Sequence, residues 1–478
     1  MSSHDAQQVV ANKTLDRRGL LKLSGAAAGG VALAALPPEA LAAGAAESPP
    51  GSSEVNTFFK RLKPYRPGTE ELADGEMRIT FLGTSPLPRL AQACNSVYVE
   101  LGNPERDCFV FDAGSGVVAK YMTMGIRYAQ MDKVFITHLH GDHTSDLTHI
   151  YCFGPAADRK SPLYVWGPSA SQIEDPAQKD LFYEDGTTAF CGRLRELNRW
   201  HTEAFSFLPT SYVGFSPPAF DTQGQKDPAG HTDGYDIVPF ELNWRTVGGV
   251  AYAHNGVTIT HFPAMHDRQG SISYKLVWDY KGRKLSMIYT GDTKPTSYVI
   301  EQATSGVDVL IHEMVVPPEV WAAKNTGLTP DDGADWDRAL FAAEQIENNS
   351  HTPAKALGYI LSELQTPPRL AVATHFQATD DTIRPALADI RSWYPHGDIT
   401  VATDFLVINV DKDRVRQRRA VVSEFAWQAP ARLRDDLPLA TPKYYDEETG
   451  LGDPYAQLDP EALANQVIPP ETYDPQPE

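Results

Sequence analysis

The chain has 478 residues, 42% hydrophobic, 10% aromatic and 22% charged, enough for one large domain with extensions or for two. Its formal charge of −20 and pI near 5.1 oppose a phosphate backbone, so nucleic acid is not expected as a partner. Beyond the N-terminus no apolar run reaches the roughly 20 residues that cross a bilayer, so no stable membrane anchor is expected.

Residues 1–46 read as an address and not as part of the fold. Arg17 and Arg18 precede an Ala- and Gly-rich apolar run over 23–36, and Ala40-Leu41-Ala42 offers a small-x-small cleavage site. This pattern resembles a twin-arginine signal peptide, which implies contact with the twin-arginine export machinery and a periplasmic or secreted mature protein. Residues 47–76, rich in Pro, Ser and Glu, read as a linker or arm. Apolar strand runs follow at 77–82, 95–101, 108–112, 131–137, 163–166, 257–262, 271–278, 285–289, 307–311, 370–374 and 399–401. Helical periodicity falls at 188–199, 334–347, 353–364 and 382–394. Strands separated by helices predict an α/β fold with sheet packed on helices. Between 168 and 234 the pattern weakens into a turn-rich stretch holding Phe182, Tyr183, Phe190 and Trp200. A loop this long is either a lid or substrate wall, or a structural insertion packed on the core or on a second subunit. Residues 412–478 form a C-terminal extension, Pro- and acid-rich from 428. The insertion and the tail together leave room for a homodimer. Cys94, Cys108, Cys152 and Cys191 show no C-x-x-C spacing and allow three full pairings, so they read as packing residues or one bridge.

Thr137-His138-Leu139-His140-Gly141-Asp142-His143 carries most of the functional argument. It follows an apolar strand. His138 and His140 are two apart, so on extended backbone both leave the same face. Gly141 lets the chain turn sharply, bringing Asp142 and His143 towards the same point. Imidazole and carboxylate are the usual nitrogen and oxygen ligands of zinc. Four such groups within six positions at a strand end point to a metal site and not to solvated surface.

The H-x-H-x-D-H run resembles the signature of the metallo-β-lactamase superfamily, and further segments resemble its ribonuclease Z/arylsulfatase-like branch. These are Phe81-Leu82-Gly83-Thr84, Phe111-Asp112-Ala113-Gly114, Tyr289-Thr290-Gly291-Asp292-Thr293, Asp308-Val309-Leu310-Ile311-His312-Glu313, His351-Thr352-Pro353 and Ala373-Thr374-His375. The likeness runs over about 77–411 and implies an αββα sandwich domain over that span, interrupted by the insertion at about 168–234. It implies two divalent ions: one on His138, His140 and His266, the other on Asp142, His143 and His375, with Asp292 shared. His266 is preferred to His261, because His261 lies inside a strand where a packed ring is the ordinary reading. Asp112 is assigned to orienting the histidine loop. Zinc is the default metal, with manganese and iron open.

Two divalent ions close together lower the pKa of a shared water until hydroxide exists near neutral pH, and they offset charge growing on an ester oxygen. Asp142 would belong to this machinery as ligand and catalytic residue. His312, oriented by Glu313, is expected to protonate the leaving group, and His351 to line the same cleft. The shared carboxylate favours a phosphorus or sulfur ester over a β-lactam, and histidine at 140 disfavours a flavo-diiron redox protein. Processing of tRNA, a known task of the branch, is opposed by the signal peptide, the charge, the Ser85-Pro86-Leu87-Pro88-Arg89 loop and Asp146. The expectation is therefore hydrolysis of a small ester, an aryl sulfate or a phosphodiester, with a lactone or β-lactam hydrolase or a non-catalytic metal-binding protein as rivals. The Asp142-His143-Thr144-Ser145-Asp146-Leu147 run also resembles a hydrolase subgroup named for guanitoxin biosynthesis.

Overall fold

A computed structural model of the chain describes residues 62–205 and 234–427. The expected signal peptide, most of the expected linker, the middle of the insertion and most of the tail lie outside the described residues.

The strands are β1 (Lys63–Tyr65), β2 (Met77–Gly83), β3 (Ser96–Leu101), β4 (Cys108–Phe111), β5 (Lys133–Phe135), β6 (Leu163–Pro168), β7 (Ile237–Leu242) and β8 (Gly249–His254). There follow β9 (Val257–Pro263), β10 (Ile272–Tyr280), β11 (Arg283–Tyr289), β12 (Val309–Glu313), β13 (Leu370–Thr374), β14 (Ile399–Val401), β15 (Leu406–Val410) and β16 (Val415–Ala420). The helices are α1 (Val117–Thr123), α2 (Gly141–Thr144), α3 (Leu147–Ala157), α4 (Thr187–Leu197) and α5 (Arg199–Phe205). They continue with α6 (Ser297–Ala303), α7 (Pro318–Thr326), α8 (Ala334–Ser350), α9 (Ala354–Ser362) and α10 (Asp380–Trp393).

Two sheets form, in the orders β1-β16-β15-β2-β3-β4-β5-β6-β7 and β14-β13-β12-β11-β10-β9-β8. Side chains two apart on a strand share a face, and the apolar clusters follow that period. Met77, Ile79 and Phe81 of β2, with Phe109 and Phe111 of β4, pack against Tyr274 and Leu276 of β10, Met287 and Tyr289 of β11 and Val309 and Ile311 of β12. On the outer face of the first sheet, Tyr98, Val110 and Val134 meet Tyr121 of α1, Ile150 and Tyr151 of α3 and Leu194 of α4. On the outer face of the second, Ile288, Leu310 and Ala371 meet Val299 of α6, Leu357 and Ile360 of α9 and Ile390 of α10. Helix, sheet, sheet and helix are thus stacked in four layers, as expected. Each buried large apolar side chain contributes roughly 1.5–3 kcal/mol, so the continuous inter-sheet cluster is the main source of rigidity beneath the site.

Parallel neighbours place the functional loops at one end of both sheets. β4, β5 and β6 run parallel, as do β11, β12 and β13, so their C-terminal ends open on the same edge. Ile272 N donates to Thr137 O at 3.0 Å and the Tyr274 hydroxyl donates to Ile136 O at 2.8 Å, tying the second sheet to the strand end that carries the histidine loop.

The ordered domain exceeds the expected 77–411 at both ends. β1 pairs in parallel with β16, and β16 forms an antiparallel hairpin with β15. The sequence of β16, Val415-Arg416-Gln417-Arg418-Arg419-Ala420, carries three arginines, so a boundary placed at 411 divides that hairpin. Charge on a strand near a sheet edge blocks aggregation and also hides the strand from an apolar-pattern search. The four cysteines are free thiols and all buried. Burial pushes Cys94 and Cys108 up to about 12, which makes them packing residues and not thiolate ligands. Among the described residues no helix is long and apolar enough to cross a membrane.

Candidate metal centre

The histidine loop is shaped by Asp112. Its carboxylate accepts four hydrogen bonds, from Thr137 N (2.8 Å), Thr137 Oγ1 (2.9 Å), the Tyr289 hydroxyl (2.8 Å) and His143 Nδ1 (2.7 Å). Asp112 and His375 both sit at φ 58, a left-handed conformation unusual for residues other than glycine and common where function dictates side-chain aim. Gly291 is needed at its position, since a Cβ there would lie 2.5 Å from Thr137 Oγ1, between Asp292 and the histidine loop. The four-residue helix α2 then presents Asp142 and His143, while His140 stays extended at its N-cap.

Seven side chains converge. His138, His140 and His266 form one group of potential metal donors, and Asp142, His143, Asp292 and His375 another, with donor atoms in each group within 4.8 Å of one another. Asp292 lies between them. Its Oδ1 is 3.2 Å from His143 Nε2, and its Oδ2 is 3.1 Å from His375 Nε2, 3.7 Å from His266 Nε2 and 3.8 Å from His138 Nε2. Asp142 Oδ2 is 3.3 Å from His143 Nε2 and 3.4 Å from His375 Nε2.

The proton inventory of these rings fits a cation. His143 Nδ1 faces Asp112 and His266 Nδ1 faces the Ser350 carbonyl at 2.8 Å. Both rings therefore donate through Nδ1 and turn the lone pair of Nε2 into the centre. His266 Nε2 lies 3.2 Å from His140 Nδ1, two basic nitrogens aimed at each other. His138 Nε2 is buried without a hydrogen-bond partner, an expensive state that coordination would relieve. Burial, reinforced by neighbouring rings, holds His138 well below the ordinary imidazole range and so keeps its lone pair free. In the other group burial opposes charge, but Asp292 and its neighbours outweigh it, raising His143 and pushing His375 up to about 10. A negative field strong enough to hold protons on buried rings is also one that holds a divalent ion.

The structure brings every expected ligand together, including His266. His261 is elsewhere: its ring nitrogens face the Gly249 and Asn243 carbonyls at 2.9 and 3.0 Å, a packed strand residue. The expected partnership of His312 and Glu313 does not form. Adjacent strand residues point to opposite faces, so a glutamate at i+1 cannot orient the ring at i. His312 is buried with Nδ1 on the Glu313 backbone carbonyl at 2.7 Å. The Glu313 carboxylate instead accepts from Thr293 N (2.7 Å) and meets His351 Nδ1 at 3.0 and 3.2 Å. His351 is the ring beside the donor cluster, stacked on His375 with centroids 5.1 Å apart and with Nδ1 4.0 Å from Asp292 Oδ2.

Asn95 is a neighbour that the sequence did not announce. Its Nδ2 lies 3.5 Å from Asp142 Oδ2 and 3.1 Å from His143 Nε2, while the sequence places it as the first residue of a strand run over 95–101. Asp146, read as a departure from the branch, accepts from Val118 N at 2.9 Å and satisfies the first turn of α1. Beside His138, His140 and His266 opens a cleft of about 370 Å³, walled partly by residues 168–193 from the expected insertion. A larger cavity of about 820 Å³ lies at the opposite end of β5, where its charges are already paired, as in Arg78–Glu100 and Lys133–Asp132. Chemistry belongs to the smaller one, which alone of the two touches the donors.

A profile of the metallo-beta-lactamase superfamily matches residues 90–152, the stretch that contains the histidine loop. A ribonuclease BN of Cronobacter sakazakii is 33% identical over 346 residues, 70% of this chain and 100% of the relative. The chain belongs to the metallo-β-lactamase superfamily. A ribonuclease Z of Haloarcula marismortui is 29% identical over 250 residues, half of this chain and 73% of the relative. The crystal structure of human tRNase Z, short form, superposes with a TM-score of 0.42 at 20% identity, covering 69% of this chain and 98% of that one. This member of the superfamily is thus a metal-dependent hydrolase whose relatives carry ribonuclease names. That overturns the expectation that nucleic acid is no partner. The net charge was the wrong guide because it is a sum over the chain: residues 428–478 hold eleven Asp and Glu against three Lys and Arg, so that tail accounts for −8 of the net −20. Such charge is screened beyond about 8 Å in physiological salt, and binding is decided by the groups facing the ligand.

Proposed function

We propose that this chain hydrolyses phosphodiester bonds with a pair of divalent metal ions, zinc by default, held by His138, His140 and His266 on one side and by Asp142, His143 and His375 on the other, with Asp292 common to both. The observation that carries the reading is the convergence of these lone pairs and carboxylates around Asp292. Such ions supply Lewis acidity that makes hydroxide available near neutral pH and offsets charge on the ester oxygens.

The chain's own residues supply the rest. Asp112 fixes the tautomer of His143, and the Ser350 carbonyl fixes that of His266, so both present Nε2 to the centre. Burial works against a charged His351, but Glu313 outweighs it and raises the ring's pKa. His351 therefore holds a proton beside Asp292 and His375, where it can be given to a departing alkoxide. The ribonuclease names of the relatives support a phosphodiester over an aryl sulfate, a lactone or a β-lactam.

Metal-loaded protein is expected to release nitrophenolate from bis-p-nitrophenyl phosphate and to leave p-nitrophenyl sulfate and nitrocefin intact. Turnover of either of the latter in preference to the phosphodiester would sink the reading. Export belongs to the same proposal and is supported by Arg17, Arg18 and the apolar run after them. It predicts a mature N-terminus near residue 43, and mass spectrometry finding Met1 or Ser2 on exported protein would refute it.

A further inference from the structure

The cleft beside His138, His140 and His266 carries charge that the metal ligands do not use. Apart from those three histidines, its ionisable lining residues are Asp185, Arg193 and Arg268. Asp185 is fully engaged. It accepts from Ser171 N (2.8 Å) and Ser171 Oγ (2.7 Å) and forms an ion pair with Arg268, whose guanidinium lies 5.5 Å from the Tyr183 ring centroid. Arg193 donates Nη1 to the Glu184 backbone carbonyl at 2.7 Å, a contact that aims the guanidinium without neutralising it. Among the lining residues one carboxylate stands against two guanidiniums, and that carboxylate is engaged by Arg268. Phe190 lines the same wall with its ring half-buried.

We infer that Arg193, supported by Arg268 and Phe190, forms a subsite for the nucleotide next to the scissile bond, the guanidinium taking its phosphate and the aromatic ring its base. The inference rests on the phosphodiesterase reading and names its substrate class as a nucleic-acid strand. A small ester with a single phosphate is satisfied at the metal centre and leaves Arg193 nothing to bind, whereas a strand presents a second phosphate along the cleft. A guanidinium meets phosphate as a planar fork, and an aromatic face accepts any base. The volume of about 370 Å³ falls at the lower end of the range for small-ligand sites, about 300–1,000 Å³, and suits one nucleotide unit.

The test is anisotropy of a fluorescein-labelled hexanucleotide with a 2′-O-methyl backbone, bound to the full metal-loaded chain, which reads affinity without turnover. Arg193→Gln is expected to raise Kd about tenfold or more, because a charge-assisted contact is lost. It is also expected to make the dependence of log K on log salt shallower by about 0.7, the share of one phosphate contact on a single strand. Arg193→Lys recovers part of the affinity, and Phe190→Leu weakens binding without changing the salt slope. Lys284→Gln, an exposed charge on β11, serves as control and leaves both unchanged. Equal affinity and slope for the wild type and Arg193→Gln, with matching melting curves, overturn the subsite, as does failure of the wild type to bind the probe. Arg193-dependent binding by a protein that never cleaves bis-p-nitrophenyl phosphate overturns the phosphodiesterase reading and keeps the subsite. Cleavage with Arg193-independent binding does the reverse.

Discussion

His138, His140, Asp142 and His143 lie within six residues of one loop, whereas His266, Asp292 and His375 reach the centre from three separate loops between 266 and 375. The first set is shaped locally, by one carboxylate, Asp112, that holds the Thr137 backbone and the His143 ring together. The second set is shaped by sheet register: β11, β12 and β13 run parallel, with Tyr289 beside Ile311 and Glu313 beside Thr374, so the residues after each strand emerge at one edge. A compact ligand loop can be aimed by a single buried group. A dispersed one needs the whole second sheet to be in place, so its precision is bought with tertiary packing.

Asp292 is where the two designs meet, and its removal is expected to have the largest effect. Asp292→Ala is expected to reduce bound metal from two ions per chain to one or none, measured by plasma mass spectrometry on desalted protein. Loss of several kcal/mol of charge stabilisation corresponds to at least about a thousandfold fall in bis-p-nitrophenyl phosphate turnover. Retention of two ions and near-normal turnover would show that the groups work independently.

His351 tests the dispersed half without replacing a proposed ligand, although its ring packs on His375 and His266. His351→Asn is expected to keep both ions and lower kcat for a short RNA by about 10²–10⁴-fold, the usual worth of a positioned acid. Its effect on bis-p-nitrophenyl phosphate is expected to be much smaller, because nitrophenolate leaves without needing a proton. Since Glu313 raises the ring's pKa, the wild-type rate falls as pH rises through that value, and the variant loses this alkaline limb. An equal loss on both substrates would assign His351 to structure.

The same contrast explains what could be read from the chain. The compact loop was legible because its spacing carries its geometry: two residues apart on a strand end, then a glycine turn. Asp292 and His375 were visible because each follows an apolar strand in a recognisable segment. The pairing of Glu313 with His351 was not, since it joins residues 38 apart and overrides the adjacency of His312 and Glu313 in sequence. Asn95, Arg193 and Arg268 carry no pattern either: an Asn at a strand start and two surface arginines acquire a role only when folding brings the Asn to Asp142 and His143 and the arginines to the cleft. β16 escaped notice because its charged residues mimic a tail.

Asp112 tests the compact half. Asp112→Asn keeps the size of the side chain but replaces one acceptor oxygen by an amide that cannot accept from His143 or Thr137. The expected outcome is a loss of about 10–100-fold in metal affinity, the usual cost of removing a group that orients a ligand, measured by competition with a chelator. Unchanged affinity would mean that the loop is aimed by the second sheet after all, through Ile272 and Tyr274, and that the two halves differ less than their hydrogen bonds suggest.

The smallest effect concerns the support behind the dispersed half. Glu347 of α8 is buried, and burial, with Glu319, Glu313 and Glu344 adding to it, pushes its carboxyl up to about 8. In the unfolded chain the same group titrates near about 4.3. A carboxyl whose folded pKa is raised favours the fold while it is protonated, fully so below the unfolded value, and loses that contribution as pH climbs towards 8. Glu347→Gln cannot ionise, so its melting temperature is expected to match the wild type near about pH 3.5, below the unfolded value, and to exceed it at pH 8.5 by on the order of a few degrees. Asp112 and Glu347 would then be opposite cases of a buried carboxylate: one surrounded by four donors and useful when charged, the other crowded by acids and tolerated when neutral. Equal melting temperatures at both pH values would remove Glu347 from that contrast, and would mean that the acids around it are answered by a cation in the folded protein.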